Sequence, residues 1–277
     1  MLTFIPTPIG NPQDITIRAL KAFESVTLFL CEDTRQTKRL LKILNERFDT
    51  LYPNGADFFS FNEHNGQQRL EEIKDRLDNE SVAYLSDAGM PIISDPGQIL
   101  VEHCQAHNIE YDVLPGATAF ATAYAASGFK GSQFAFHAFL PHKGGDRVQA
   151  LSDALGASTH TILYESPHRL LRLLEEIDLI DPNRELFLAK ELTKKFQQYF
   201  KGSASELLTK FKDMHIRGEW VVIIHLKEED NRSLSYNDIV SLDLAPKIKA
   251  KLLAKVTGKS VKECYNNVVE SQNTAKV

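Results

Sequence analysis

The sequence predicts an α/β fold built in two successive domains and completed by a small helical module. Three observations carry that prediction. Short apolar, β-rich runs alternate with helical stretches of about ten residues, the mark of βαβ units and a mostly parallel sheet. One such run, 82–85, breaks off into a loop carrying Asp87, Gly89, Met90, Pro91, Asp95, Pro96 and Gly97, and in open α/β sheets ligands bind just beyond the carboxyl ends of strands. The third is a change of composition: a polar stretch over 227–235 precedes Lys247, Lys249, Lys251, Lys255, Lys259 and Lys262, the one basic block in a chain of net charge −5.

In chain order, a buried strand over 3–5 runs into the loop 7–12, and a helix over 17–23 follows with Thr16 as its N-cap. A second strand, 26–31, ends in Glu32, Asp33, Thr34 and Arg35. A helix through 38–44 leads to an aromatic strand over 58–61 that ends in Asn62, Glu63, His64 and Asn65. The helix 67–77 precedes the strand 82–85; Asp95 and Pro96 then supply an N-cap and N1 pair for a helix ending near His107. A strand over 109–114 closes the first domain, 1–116. The second domain, 117–228, opens on a small-residue helix from Thr118 to Ser127, able to pack closely. Strands over 134–139, 161–164, 186–189 and 220–225 follow, separated by helices. In the helix opening at Ser166 and Pro167, Leu170, Leu173, Leu174 and Ile177 fall at i, i+3, i+4 and i+7. The remainder, 229–277, is read as a linker and a lysine-rich helical module with Ile248, Leu252 and Val256 on one face.

At 277 residues, 43% hydrophobic and 25% charged, the chain can bury a sizeable core. Its overall charge makes no case for nucleic acid or an anionic membrane. Cys31, Cys104 and Cys264 are odd in number and far apart, against a disulfide framework or a zinc site, and a reducing cytoplasm suits them best. The apolar start is broken by Pro6, Pro8 and Gly10, lacks a charged leader and reads as a first strand. No run reaches the length of a membrane span.

Four strand ends collect turn and charged residues: 7–11, 32–35, 62–65 and 86–91. In a parallel sheet all four would share one edge and face one cleft. The first loop has one glycine, which excludes a dinucleotide fingerprint, and there is no P-loop, no GxSxG and no metal-ligand spacing.

The motifs themselves go further. Thr7-Pro-Ile-Gly-Asn11, Asp14-Ile-Thr16 with Arg18-Ala-Leu20, Glu32-Asp-Thr-Arg35, Ser86-Asp-Ala-Gly-Met-Pro91 with Ser94-Asp-Pro-Gly97, Leu114-Pro-Gly116, Tyr164-Glu-Ser-Pro-His-Arg169 and Glu191-Leu-Thr-Lys194 occur in this order. The set resembles the tetrapyrrole methylase superfamily and, within it, the branch that methylates small-subunit ribosomal RNA. The match runs from about Thr3 to about Leu226, and the tail is similar to that branch's helical extension. The resemblance implies two α/β domains with a cofactor cleft between them, S-adenosylmethionine (SAM) in the cleft, and a homodimer. It also implies methyl transfer to the ribose 2′-hydroxyl of a cytidine in the decoding region of 16S rRNA. Carried over by motif, the SAM contacts are Pro8 and Gly10; Asp87, Gly89 and Met90; Thr118 and Ala119; and Glu165 and Leu192. The chain departs from the family pattern at Pro12, where leucine is usual, at Ala138, where glycine is usual, and at Gln197-Gln198, where acidic residues are usual.

SAM has no phosphate, so small residues, apolar walls for adenine and oxygens near the sulfonium suffice for its site. Methyl transfer requires the nucleophile in line with the methyl group, so positioning supplies most of the catalysis, and a base near the hydroxyl helps. Glu32, Asp33, Glu63, His64 and Glu191 are the base candidates, and the sequence singles out none. Each has a structural alternative: Glu32 or Asp33 pairing with Arg35, His64 capping a helix, Glu191 pairing with Lys194. Arg35, Lys143, Arg169 and Lys194 are the candidates for phosphate contacts, with Lys247, Lys249, Lys251 and Lys255 adding a salt-dependent term. Two other readings stay open: a methyltransferase acting on a corrin or porphyrin intermediate, and a non-catalytic ribosome-binding factor.

Overall fold

The computed structural model describes residues 1–93, 95–226 and 236–274, which fall into two compact units, Met1–Leu226 and Lys227–Val277. Ser94 and the polar stretch 227–235 lie outside the described residues.

The first unit contains two five-stranded sheets. The first sheet consists of β1 (Leu2–Phe4), β2 (Leu28–Cys31), β3 (Asp57–Ser60), β4 (Val82–Leu85) and β5 (Tyr111–Val113), in the order β3-β2-β4-β1-β5. Every pair in it is parallel. Successive strand side chains point to opposite faces, and both faces are apolar. Leu2, Phe4, Leu28, Leu30, Val82 and Tyr84 form one, which packs with residues of α3 (Gly66–Asn79) and α4 (Gln98–His107). Phe29, Cys31, Ala83 and Leu85 form the other, against α1 (Ile17–Phe23) and α2 (Thr34–Phe48). Burial on both faces is what a parallel sheet demands.

The second sheet follows α5 (Ala119–Ser127) and contains β6 (Phe134–Phe139), β7 (His160–Glu165), β8 (Glu185–Lys190), β9 (Gln198–Ser203) and β10 (Trp220–Ile224), in the order β6-β7-β10-β8-β9. Only β6 and β7 run parallel; β10 is antiparallel to both its neighbours, and so is β9 to β8. Leu163, Leu188, Trp220 and Val222 face α6 (Gly145–Gly156), α7 (Pro167–Ile180) and α8 (Ala204–Phe211). The four apolar residues expected to line α7, Leu170, Leu173, Leu174 and Ile177, are all fully buried there. The other face, Ile162, Phe187, Ala189, Val221 and Ile223, packs on Ala123 of α5 and on Ile9, which arrives from the first sheet's opening loop.

Two local expectations are corrected. Asp95 and Pro96 do not cap α4, which starts at Gln98 with Gly97 in the cap position. The Asp95 carboxylate instead accepts from Ile92 N–H (2.7 Å), Gly97 N–H (3.0 Å) and Tyr84 O–H (2.7 Å), tying the loop to β4. The sequence reading also passed over β9, a polar edge strand without alternation.

In the second unit, α9 (Tyr236–Ser241), α10 (Pro246–Thr257) and α11 (Val261–Thr274) enclose Ile239, Ala250, Leu253, Cys264 and Val268. Ile248 and Val256, expected on the apolar face, are 52% and 50% exposed. Neighbouring helices meet α10 along its Ala250–Leu253 edge, where the small alanine allows close approach. Among the described residues no helix is long and apolar enough to cross a membrane.

Candidate active site

Because the first sheet is parallel, the ends of β3, β2, β4 and β1 stand side by side on one edge. Three of them reach a cavity of about 340 Å³: Ile9 after β1, Glu32 after β2, and Ser86, Gly89, Met90 and Asp95 after β4. The fourth does not, since β3 is the outermost strand. Glu63 and His64 are exposed there, and Asn62, not His64, orders the turn by accepting from His64 N–H at 3.0 Å.

The second sheet supplies the opposite wall: Tyr164 and Glu165 at the end of β7, Ala189 and Leu192 at and after the end of β8, and Trp220 and Val221 at the start of β10. The antiparallel register sets Trp220 beside both Glu165 and Lys190, so the amino end of β10 meets the carboxyl ends of its neighbours. Thr118 and Ala119 complete the cavity at the start of α5.

Two tight contacts shape the walls. Gly89 has φ +85 and bridges to Thr7, with N–H donors meeting carbonyls at 3.0 and 3.1 Å; a Cβ there would lie 3.2 Å from Ile9 Cγ2. Leu192 sits between Glu191 and Thr193, whose φ values are +50 and +62, a conformation costly for a β-branched residue. Cross-links hold it. Thr193 Oγ1 accepts from Asn11 N–H (3.0 Å), Thr193 N–H donates to Gln197 Oε1 (2.6 Å), and Glu191 Oε1 accepts from Glu219 N–H (2.9 Å) and Lys194 Nζ (3.0 Å). Gln197, one of the departures from the family pattern, thus has a structural role here.

The ends of β2 and β4 are stitched together: Asp33 N–H donates to Asp87 Oδ1 (3.1 Å) and Asp87 N–H to Glu32 Oε2 (3.2 Å). Burial raises the Glu32 pKa above its ordinary value, and the nearby Asp87, Asp95 and Glu63 add to the shift despite the Asp87 N–H. Asp33 is different. Its carboxylate accepts from Arg35 Nε (3.1 Å), Nη2 (2.7 Å) and N–H (2.8 Å), which hold its pKa down at about 2. It caps α2. Burial works against ionisation of Glu191, but Glu219 N–H and Lys194 outweigh it and its pKa is lowered.

Glu165 is buried on the cavity wall. Its Oε1 accepts from Ser166 N–H (2.8 Å) and pairs with Arg169 Nε at 3.2 Å, while Oε2 lies 3.9 Å from Arg147 Nη2 without a hydrogen bond. Burial raises its pKa in spite of those partners.

Of the residues the sequence singled out, Glu32, Gly89, Met90, Thr118, Ala119, Glu165 and Leu192 line the cavity. Pro8, Gly10 and Asp87 are not among its lining residues, although Gly10 packs against the 192–194 turn and Asp87 joins Asp33 to Glu32. Arg169 and Lys194, offered to phosphate, are half-buried and already partnered: Arg169 Nη2 donates to Leu140 O (2.7 Å), and Lys194 pairs with Glu191 (3.0 Å) and with Glu219 (2.8 Å). Arg35 and Lys143 are exposed. So are Lys247, Lys251 and Lys255, at i, i+4 and i+8 on α10, whereas Lys249 donates to Val240 O at 2.8 Å. Missed from sequence were Tyr164, Trp220, Val221 and Phe139. An apolar strand beginning Trp-Val was visible, but its direction was not.

Two β-sheets holding a mainly apolar cavity between the carboxyl edge of one and an antiparallel neighbour have the form of a site for a small organic molecule. The chain belongs to the family of tetrapyrrole (corrin/porphyrin) methylases, whose model matches residues 1–208. It is 43% identical to the ribosomal RNA small subunit methyltransferase I of Helicobacter pylori strain 26695, over 99% of this chain and 100% of that protein. The protein of the same name from Thermotoga maritima is 43% identical over 82% of this chain and 99% of its own length. Among solved structures it is similar to diphthine synthase (TM-score 0.62, 13% identity, 94% of this chain and 97% of that one). The cobalamin-biosynthetic enzyme cobalt precorrin-4 methyltransferase is similar too (TM-score 0.61, 14% identity, 81% and 94%). The protein is a methyltransferase, and its cofactor is SAM. The residues fit that cofactor. Ile9, Leu192 and Val221 give apolar walls, and Gly89 leaves space a side chain would fill.

Proposed function

We propose that the protein methylates the 2′-hydroxyl of a cytidine ribose in the decoding region of 16S rRNA, acting on the small ribosomal subunit as a cytoplasmic homodimer. The rRNA substrate is supported by one observation above all: the identity to a protein named for small-subunit rRNA methylation extends along 99% of the chain, helical module included. The corrin and porphyrin alternative rests on the family's name and on structural neighbours at 14–18% identity, which share the fold.

In this reading Ile9, Gly89, Met90, Thr118, Ala119 and Leu192 enclose SAM, with Glu165 on the same wall. SAM supplies a methyl group made electrophilic by its sulfonium. The ribose oxygen forms the new bond to the methyl carbon as the carbon–sulfur bond breaks, and Glu32 takes the hydroxyl proton. Among the base candidates Glu32 alone lines the cavity, and its raised pKa brings it nearer to neutral pH than an exposed glutamate, which favours proton transfer at physiological pH. Asp33 and Glu191 are held charged by Arg35 and Lys194, and Glu63 and His64 stand outside.

The test is incubation with labelled SAM and small subunits from cells lacking this protein, followed by mapping of ribose methylation. One methylated ribose in the decoding region is expected. SAM binding without incorporation, or methylation of a tetrapyrrole instead, overturns the assignment.

A further inference from the structure

The edge strand β6 carries an irregularity that the reading above does not use. Its pairing with β7 shifts register between Phe136 and Phe139, and Ala138 has φ +50. In a regular strand, side chains three residues apart point to opposite faces. Here the extra residue brings both Phe136 and Phe139 against Tyr164, at ring-centroid distances of 4.9 and 5.7 Å. Bulges of this kind re-aim side chains beside sites, and a left-handed alanine costs about 1–2 kcal/mol. The outcome of that strain is a large aromatic ring that lines the cavity and still remains 53% exposed.

The cavity interior does not need this ring. Ile9, Leu192 and Val221 are at most 7% exposed, and they offer enclosed walls to the cofactor. A half-exposed ring at the rim faces whatever approaches from outside. Lys143, four residues further along the same segment, is exposed as well, and an aromatic platform with a nearby cation is a recurrent way to hold an unstacked base and its backbone.

We propose that Phe139, turned onto the cavity rim by the β6 bulge, is the stacking platform for the base of the nucleotide to be methylated, which enters the site unstacked from its strand. The proposal rests on the RNA substrate assigned above. Stacking on an aromatic side chain contributes about 1–3 kcal/mol per base, so Phe139→Ala should raise the KM for small subunits roughly 5- to 150-fold. SAM affinity by calorimetry should stay within about twofold, and Phe139→Trp should restore the KM. A fluorescent cytidine analogue at the target position of an RNA fragment should report stacking with the parent protein and Phe139→Trp, and none with Phe139→Ala. If Phe139→Ala methylates with an unchanged KM, or loses SAM affinity in proportion to its activity, the platform does not serve the substrate base and the proposal fails alone. If the parent protein incorporates no methyl group into subunits, the RNA reading fails and this proposal with it.

Discussion

Replacing Gly10 with alanine tests whether the first loop and the 191–194 turn are fitted to one another. A Cβ at residue 10 would lie 2.4 Å from Lys194 Cγ, 2.7 Å from Thr193 Oγ1 and 2.9 Å from the Leu192 carbonyl oxygen. None of the three neighbours moves freely. Lys194 bridges Glu191 and Glu219 at 3.0 and 2.8 Å, Thr193 Oγ1 accepts from Asn11 N–H at 3.0 Å, and the Leu192 carbonyl lies between two left-handed residues. Relief has to displace the turn, and overpacking of this kind costs about 1–3 kcal/mol. For a protein of this size each kcal/mol corresponds to about 2–4 °C in Tm. Leu192 lines the cavity, so the displacement should also reach SAM: we expect its Kd to rise about tenfold, equivalent to ~1.4 kcal/mol. Thermal unfolding and titration calorimetry on the purified variant read both quantities. A Gly10→Ala protein with the parent Tm and SAM affinity would refute the fitted contact and its role in shaping the site.

Three further outcomes are expected. Glu32→Gln should lower kcat by about 10²–10⁴-fold, the range for loss of a general base. Because burial raises the Glu32 pKa, the parent rate should fall as pH drops through a limb lying above the ordinary carboxylate range; a pH profile of Glu32→Gln that keeps this limb would point to another base. Asp87→Ala removes the acceptor for Asp33 N–H and loosens the carbonyl ends of β2 and β4, so SAM affinity should drop while Asp87→Asn retains most of it; equal affinities in calorimetry would separate Asp87 from the site. Replacing Lys247, Lys251 and Lys255 together with glutamine should weaken subunit binding and flatten the plot of log K against log salt by roughly 2, at ~0.7 per phosphate contact on single-stranded RNA. An unchanged salt slope would leave this stripe a solvated helix face.

Much of this molecule was legible in its sequence because the controlling physics is local. Short apolar, β-rich runs marked the strands, the i, i+3, i+4, i+7 spacing of Leu170, Leu173, Leu174 and Ile177 marked α7, and Thr16 marked the start of α1, where its side chain accepts from Ala19 N–H at 3.1 Å. Parallel βαβ units then placed the turn residues of four strands on one edge without further information. Strand direction in the second sheet had no such signal. An antiparallel β10 carries the same apolar residues as a parallel one, yet the reversal brings Trp220 and Val221, at its amino end, to the cavity.

The loop after β4 shows the same division. Its composition announced a strand end suited to a ligand, and the family motifs placed Asp87 and Met90 there. Tertiary structure decided what each residue does: Met90 and Gly89 line the cavity, Asp95 holds the loop to Tyr84, and Asp87 acts from behind by joining Asp33 to Glu32. Which of several carboxylates faces the cavity depends on contacts between residues far apart in the chain. Sequence by itself determined most of the elements, though not β9, together with the family and the edge on which the site is built; packing between the two sheets decided which residues face the cavity, because that is set by strand order and direction rather than by any residue's neighbours along the chain.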